Sequence, residues 1–527
     1  MLSSLRNFGR QHPCVRDAVL WSLPAILFGA WLRWLLLSYQ PYAYWGSDSQ
    51  SYYMFAERIF SWERIDLQEK RRFLYPILMV PVTLLPGAPL RNLAWLQHAG
   101  GLLMLISLAY VARRVFVCWR WLIPPITTAA AAIPVTIWYE HELLGENVFF
   151  AGVTCACAGW VAWTTQCDRL RARRLWWWFF AGLAMIVLMK PAGRFFWPGV
   201  LLALVAVRAW RVMIWPQAAS LAAIAGLGTM MGSEGMAAWL LYSTAFPLTR
   251  LETPLHAEYK AEARDLVTKA RKEIDAWYLV DFDLKMWLKR TEDDPSRPHW
   301  AELGMKGKDK LRTRVYRDLA LEGIRARPDL FFYIAVQRIV GSSPLTVFKD
   351  SRFDATYFPK MFQRHYEEFS ASRPGMIYRI FALPKDRPLP TAAEFMPTLT
   401  RHGTWEERWF KNAMDRVCRI LSIAREPLHL PEAQRSIGTF RVEPFGWLLF
   451  AGSLLSALPR YRRTLGLWLI IAGGYLFGVF LVGSMNPRFF GAVWGPLFLL
   501  AAVPLDVVLS AVTGKCRNVL RTMDGPP

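Results

Sequence analysis

Eight carboxylates in two short segments are the residues of this 527-residue chain best placed for chemistry. The first segment carries Asp48, Glu57, Glu63, Asp66 and Glu69; the second carries Glu140, Glu142 and Glu146. A carboxylate within hydrogen-bond reach of a hydroxyl takes its proton as that hydroxyl attacks. In Gly46-Ser47-Asp48-Ser49 the first two residues suit a turn, and Asp48 suits either a helix cap or such a general base. Lys70, Arg71 and Arg72 follow, then Phe73-Leu74-Tyr75-Pro76. Cations beside a carboxylate fit a phosphate-bearing ligand, and they equally fit a solvated charge run or a headgroup anchor. In the second segment Glu142 and Glu146 stand four apart, so on a helix they would share a face. Glu140, Glu142 and Glu146 are candidates to orient an acceptor. Asp48, Glu142 and Glu146 are the candidates to hold a divalent cation such as Mg or Mn, although the spacing is not that of a zinc site. The tight turns Lys190-Pro191-Ala192-Gly193-Arg194 and Asn486-Pro487-Arg488 add Lys190, Arg194 and Arg488 as anion-binding candidates, with snorkelling to lipid headgroups as the plainer alternative. Tyr52, Tyr53, Tyr75 and His141 are candidate substrate-lining residues.

Membrane helices must position these groups. The chain is 54% hydrophobic, and its apolar residues gather into runs of about 20, the length that spans a bilayer. That excludes a soluble enzyme, a fibrous protein and a disordered chain. The pattern predicts an all-α polytopic membrane protein with about ten spans: 18–39, 90–112, 121–139, 147–166, 175–190, 195–210, 214–246, 445–459, 465–484 and 489–512. Residues 1–246 form a seven-span module with polar loops 40–89 and 139–147. Residues 247–444 form a large, mainly helical extracytoplasmic region, and 445–527 a three-span module. Amphipathic helices are expected over 257–290, 309–326 and 405–424, and Pro328 opens another helix.

The net charge of +22 would suggest a nucleic-acid partner in a soluble protein. Its distribution says otherwise. Residues 247–444 hold 28 acids and 35 basic residues, so most of the excess lies on the membrane parts. There it clusters in alternate joints, such as Arg113, Arg114 and Arg120, or Arg460, Arg462 and Arg463. Basic residues mark cytoplasmic ends. Both termini are therefore expected inside, the acidic loops outside, and nucleic acid is not expected as a partner. The first span lacks a cleavage site and reads as a retained anchor. Of seven cysteines only Cys418 falls in 247–444, so no bridge forms within that region.

Together these segments resemble the glycosyltransferase C superfamily, in particular the branch of bacterial relatives of protein O-mannosyltransferase and the lipid A aminoarabinose transferase. The resemblance rests on Gly46-Ser47-Asp48-Ser49 after the first span, Arg72-Phe73-Leu74-Tyr75-Pro76 and Glu146-Asn147-Val148-Phe149-Phe150. It also rests on Lys190-Pro191-Ala192-Gly193, on Arg488-Phe489-Phe490 and on Pro496 in the last span. Asp48 is followed by Ser rather than a second acid, and the region 247–444 is larger than in the simplest members. The resemblance implies a bacterial inner-membrane enzyme whose active site faces the periplasm. Its donor would be a sugar on a polyprenyl phosphate, and its acceptor a glycan, lipid or protein. Transfer would usually invert the anomeric centre. On this basis Asp48 is the expected base, and Arg71, Arg72, Lys190, Arg194 and Arg488 the pool of phosphate ligands. The competing classes are a lipid-linked glycan flippase or transporter, a polysaccharide polymerase or ligase, and a membrane scaffold.

Overall fold

The computed structural model describes residues 11–45, 49–60, 74–166, 169–207, 373–421, 423–430, 435–442, 444–482 and 487–514; between 314 and 371 it describes 314, 317–318, 320–329, 331–332, 363, 366–367 and 370–371. The expected span 214–246 and helix 257–290 lie outside the described residues. The described chain is almost all helical, with one antiparallel hairpin, β1 (Ile423–Leu430) and β2 (Arg435–Val442).

Proline sets many of the helix boundaries. Helix α1 (Pro13–Tyr39) starts on a proline, whose missing N–H costs nothing in a first turn. Two short helices follow, α2 (Ser49–Phe60) and α3 (Leu74–Thr83), before α4 (Pro89–Val115). The expected span 121–139 is two helices, α5 (Trp119–Ala131) and α6 (Pro134–His141), bent by 51°. Pro134 holds Ile133 extended and ends α5 early. Then come α7 (Glu146–Thr164) and α8 (Arg169–Met189), a 3-10 turn at Pro191–Phe195, and α9 (Phe196–Ala206).

Among the described residues α1, α4, α7 and the Gly491–Val512 part of the last helix are long and apolar enough to cross a membrane, and the bent α5–α6 pair makes a fifth. The chain is thus a membrane-embedded helical protein. The expected spans 175–190, 195–210 and 445–459 correspond to shorter apolar helices at Arg174–Met189, Ala192–Ala206 and Phe445–Leu455. At 1.5 Å per residue the last of these is about 17 Å long, against a hydrocarbon core of about 30 Å.

Small residues bring the helices together. A Cβ on Gly182 of α8 would lie 2.7 Å from the backbone nitrogen of Ala156 in α7, so only glycine admits that approach. Near the C-terminus α13 (Pro444–Leu455), α14 (Leu467–Val482) and α15 (Pro487–Val512) close the bundle; Gly199 of α9 stands equally close to the backbone of Ile471 in α14.

One buried acid ties this end of the chain to the N-terminal module. Asp506 accepts from the backbone N–H of Cys118 at 2.8 Å and of Val117 at 3.2 Å, and from the Tyr461 hydroxyl at 2.8 Å. Arg460 lies 3.5 Å away. A carboxylate there satisfies donors at the start of α5 that no intrahelical partner reaches. Asp506→Ala should therefore cost roughly 3 kcal/mol, by taking the acceptor from two amides and the Tyr461 hydroxyl and the counter-charge from Arg460. A detergent-solubilised thermal melt checks this, and an unchanged midpoint contradicts it.

The region between the two modules contributes α10 (Pro374–Ile380), α11 (Ala392–Leu399) and α12 (Trp405–Leu421). Helix α12 packs on α1, with Phe410 and Met414 buried among Leu32, Leu35, Leu36 and Tyr39. Arg401 donates its N–H to the Tyr39 carbonyl at 2.8 Å. At the start of α12, Glu407 accepts from Lys411 Nζ and from the Gly403 N–H, each at 2.8 Å. Burial pushes this carboxyl up, but Lys411, the Gly403 amide and His402 together hold it below its usual value. A depressed carboxyl stabilises the fold above its unfolded pKa, and that contribution is lost as pH falls through the folded value. Amide protection over 403–411 should therefore fall on acidification below the ordinary glutamate range. Protection independent of pH would contradict it.

Candidate functional site

The two polar joints of the N-terminal module meet at one end of the bundle. After α1 the chain runs beside the α6–α7 joint and forms a parallel bridge between Tyr44 and Glu142. Tyr44 donates its N–H to His141 O at 2.6 Å, and Leu143 donates to Tyr44 O at 3.0 Å. Ser49, at the start of α2, donates its hydroxyl to Leu143 O at 3.0 Å. Trp45 and Ser49 are both buried, so the chain on either side of 46–48 is held against the second joint. Asp48 itself lies outside the described residues, as do Arg71 and Arg72.

Gln97, in the apolar helix α4, clamps the same joint. Its amide nitrogen donates to the carbonyls of Glu140 at 2.7 Å and Glu142 at 2.8 Å, and its oxygen accepts from the Tyr75 hydroxyl. Asn147, in the first turn of α7, donates to Gln97 O at 2.6 Å. The α6–α7 joint is therefore fixed by the segment after α1, by α2 and by α4, with Tyr75 of α3 holding Gln97 in place.

Two of the sequence candidates are paired. Glu146, the first residue of α7, accepts from Lys190 Nζ, and both side chains are almost entirely buried. Pro191 ends α8 at this point and turns Lys190 back toward α7. Glu142 accepts from the Trp138 indole at 3.1 Å. The candidate cation set of Asp48, Glu142 and Glu146 includes Asp48, which lies outside the described residues. Among the described residues no group of three His, Cys, Asp or Glu is placed to hold a metal ion. Arg194 is exposed on the 3-10 turn beyond Lys190, and Arg488 falls in the first turn of α15.

The substrate-lining candidates are enclosed. Tyr52 and Tyr75 are buried edge to face with centroids 5.3 Å apart, and Tyr53 packs on Trp45 at 5.8 Å. Burial, with Glu57 nearby, holds the Tyr53 phenol well above its usual range, against a smaller pull from Arg379. It stays a neutral hydroxyl. His141 is fully buried, between Tyr44 and His98.

Glu140 does not stand in a loop with the other acids, as the sequence suggested. It occupies the last turn of α6, fully buried, where Arg33 of α1 grips it with Nε at 2.6 Å and Nη2 at 2.7 Å. The remaining guanidinium nitrogen of Arg33 donates to the carbonyls of Gly29 and Ala131, each at 3.0 Å. His98 Nδ1 lies 2.9 Å from Glu140 Oε2, and His98 Nε2 lies 3.0 Å from His141 Nδ1. An ionised carboxylate only accepts, so Nδ1 of His98 donates to it. In neutral His98 the other ring nitrogen then accepts from His141. Gly101 makes room for this group, since a Cβ there would overlap Glu140 Oε1. Arg33, His98 and Gln97 were not singled out in the sequence. A signal existed, because Arg33 is the one charged residue between 18 and 39, and an arginine in an apolar span needs a partner.

No family model, curated protein or solved structure matches this chain. Its site is therefore defined by its own geometry: two polar joints, a lysine turn and a buried ion-pair network converging at one end of a membrane helix bundle.

Proposed function

We propose that this protein is an integral-membrane glycosyltransferase of the glycosyltransferase C type. It moves a sugar from a polyprenyl-phosphate donor to an acceptor hydroxyl on the extracytoplasmic face, with both termini inside and about ten spans. The observation that carries this reading is the docking of the first joint on the second through Tyr44, Glu142, Ser49 and Leu143. Trp45 and Ser49, three residues before and one residue after Asp48, are anchored beside the joint that bears Glu142 and Glu146.

In the proposed step the acceptor oxygen attacks the anomeric carbon while its proton passes to Asp48. The bond from that carbon to the phosphate oxygen breaks, and its electron pair leaves on the lipid phosphate. Lys190, Arg71, Arg72, Arg194 and Arg488 are the cations available to offset that charge. The pairing of Lys190 with Glu146, on the second joint, supports its inclusion in this pool.

The test is mass spectrometry of cell-envelope glycans, glycolipids and glycoproteins from cells with and without the gene. The expected result is loss of one sugar from one acceptor class. Loss of a whole glycan from the envelope, with accumulation of its complete lipid-linked form on the inner face, would favour the flippase reading instead. The observation favouring that alternative is the set of ionisable groups, Arg33, Glu140 and His98, buried among the spans. They are closed on one another, however, which suits a brace better than a passage.

A further inference from the structure

Four tryptophans from two distant parts of the chain form one exposed ridge. Trp34 of α1 lies 5.9 Å from Trp405 of α12, and Trp31 lies 6.2 Å from Trp409. The pairing order makes α12 antiparallel to α1. Trp405 and Trp409 remain 48% and 57% exposed, although Phe410 and Met414 on another face of α12 are buried against α1. So much indole surface open to water is unfavourable, and it calls for an apolar cover.

The level of the ridge along α1 identifies that cover. At the other end of α1, Asp17 is paired with Arg16 and Arg113, which marks a polar boundary. From Asp17 to Trp31 and Trp34 is about 21 to 26 Å along the helix at 1.5 Å per residue. That is close to the hydrocarbon thickness of about 30 Å. Leu20, Leu23 and Leu27 are exposed on the stretch between, as a lipid-facing surface requires. The ridge therefore continues the lipid-facing surface of α1 and sits where hydrocarbon gives way to headgroups, the depth tryptophan favours. Arg408 and Arg416 are exposed at helical spacing from Trp405 and Trp409. Arginine beside indole on one flank is the pattern of a helix lying in the interface.

We infer that α12 is seated on the bilayer, with Trp405 and Trp409 at the boundary between acyl chains and headgroups of membrane lipid. The region 247–444 is then fastened to the membrane at this point instead of standing free in water. The seat adjoins the candidate site, because Phe410 and Met414 share a buried cluster with Ile137 of α6, the helix that carries Glu140 and His141. The inference depends only on the membrane-embedded fold and is independent of the proposed glycosyl transfer.

The full chain, reconstituted in phosphatidylcholine vesicles, is photolabelled with an aryl diazirine that partitions into the bilayer, and labelled residues are located by peptide mass spectrometry. The expected result is label on Trp405 and Trp409 comparable to that on Trp31, Trp34 and Leu27, with none on His402 or Asp415. Label on Leu27 without label on Trp405 and Trp409 overturns the inference, whether water or a second copy of the chain covers the ridge. The double variant Trp405→Asp/Trp409→Asp alters only exposed positions. It should raise amide exchange over 405–417 by at least about tenfold in vesicles. Exchange equal to the parent overturns the inference as well.

Discussion

Asp48→Asn should abolish sugar transfer, lowering the rate by about 10²- to 10⁴-fold, the usual contribution of a positioned general base. The substitution is chosen because the two roles open to Asp48 respond to it differently. As an N-cap of α2, asparagine serves as well as aspartate, since either side-chain oxygen accepts from the first free amides of the helix. As a base, asparagine fails, because its amide takes no proton near neutral pH. The expected result is a protein that inserts, purifies and melts like the parent but transfers no labelled sugar from a polyprenyl-phosphate donor in isolated membranes. Full activity in this variant would leave Asp48 as a cap and remove the proposed chemistry. Loss of activity together with loss of folding is separated from the expected result by the melt. Asp48→Glu is the companion variant. It keeps the proton acceptor but moves it by one methylene, so partial activity there, against none in Asp48→Asn, identifies proton transfer as the function lost.

The spans were legible where a run of apolar residues reaches the length of about 20 that crosses a bilayer. Residues 13–39, 89–115, 146–164 and 487–512 form long helices for that reason. The third expected span was not legible as a bent pair, because the sequence shows Pro134 but not whether neighbouring helices accommodate a straight kinked helix or force a break. Helix α12 was visible from its periodicity, and its seat on α1 was not, since the partner residues lie some 370 positions away. The hairpin was missed for a local reason. Pro427 stands inside β1, and a proline within a run argues against a strand unless it lies at an edge, as both strands of a two-stranded sheet do. In the site, Glu146 and Lys190 were each visible as candidates but not as partners of one another, and Glu140 was read as a loop acid although it ends α6. Spacing alone placed it beside Glu142. Only the fold brings Arg33 to it across 107 positions and turns a supposed loop acid into part of the core.

That pair is the second place where a single change has a large effect. Arg33→Ala should destabilise the protein by about 3 to 5 kcal/mol, because it leaves a carboxylate with no exposed surface facing only His98. Glu140→Ala should cost a similar amount by stranding the guanidinium, of which only the Gly29 and Ala131 carbonyls would then take a share. The double variant Arg33→Met/Glu140→Met removes both charges and replaces them with flexible apolar side chains of fitting length. It should recover most of the loss, since a buried ion pair is costly to break and much less costly to replace. Unfolding in detergent, followed for the parent, both single variants and the double, supplies the cycle that isolates the coupling. Additive losses would mean that the two charges do not depend on one another. The same four proteins report on the site. Glu140 precedes the joint that Tyr44, Ser49 and Gln97 hold, so a variant that unseats α6 should also raise amide exchange over 141–147. Restoration of that protection in the double variant would show that the pair acts as a brace for the joint, through packing and not through its charge. Persistent exchange there, despite recovered global stability, would instead give the Arg33–Glu140–His98 network a direct part in shaping the joint.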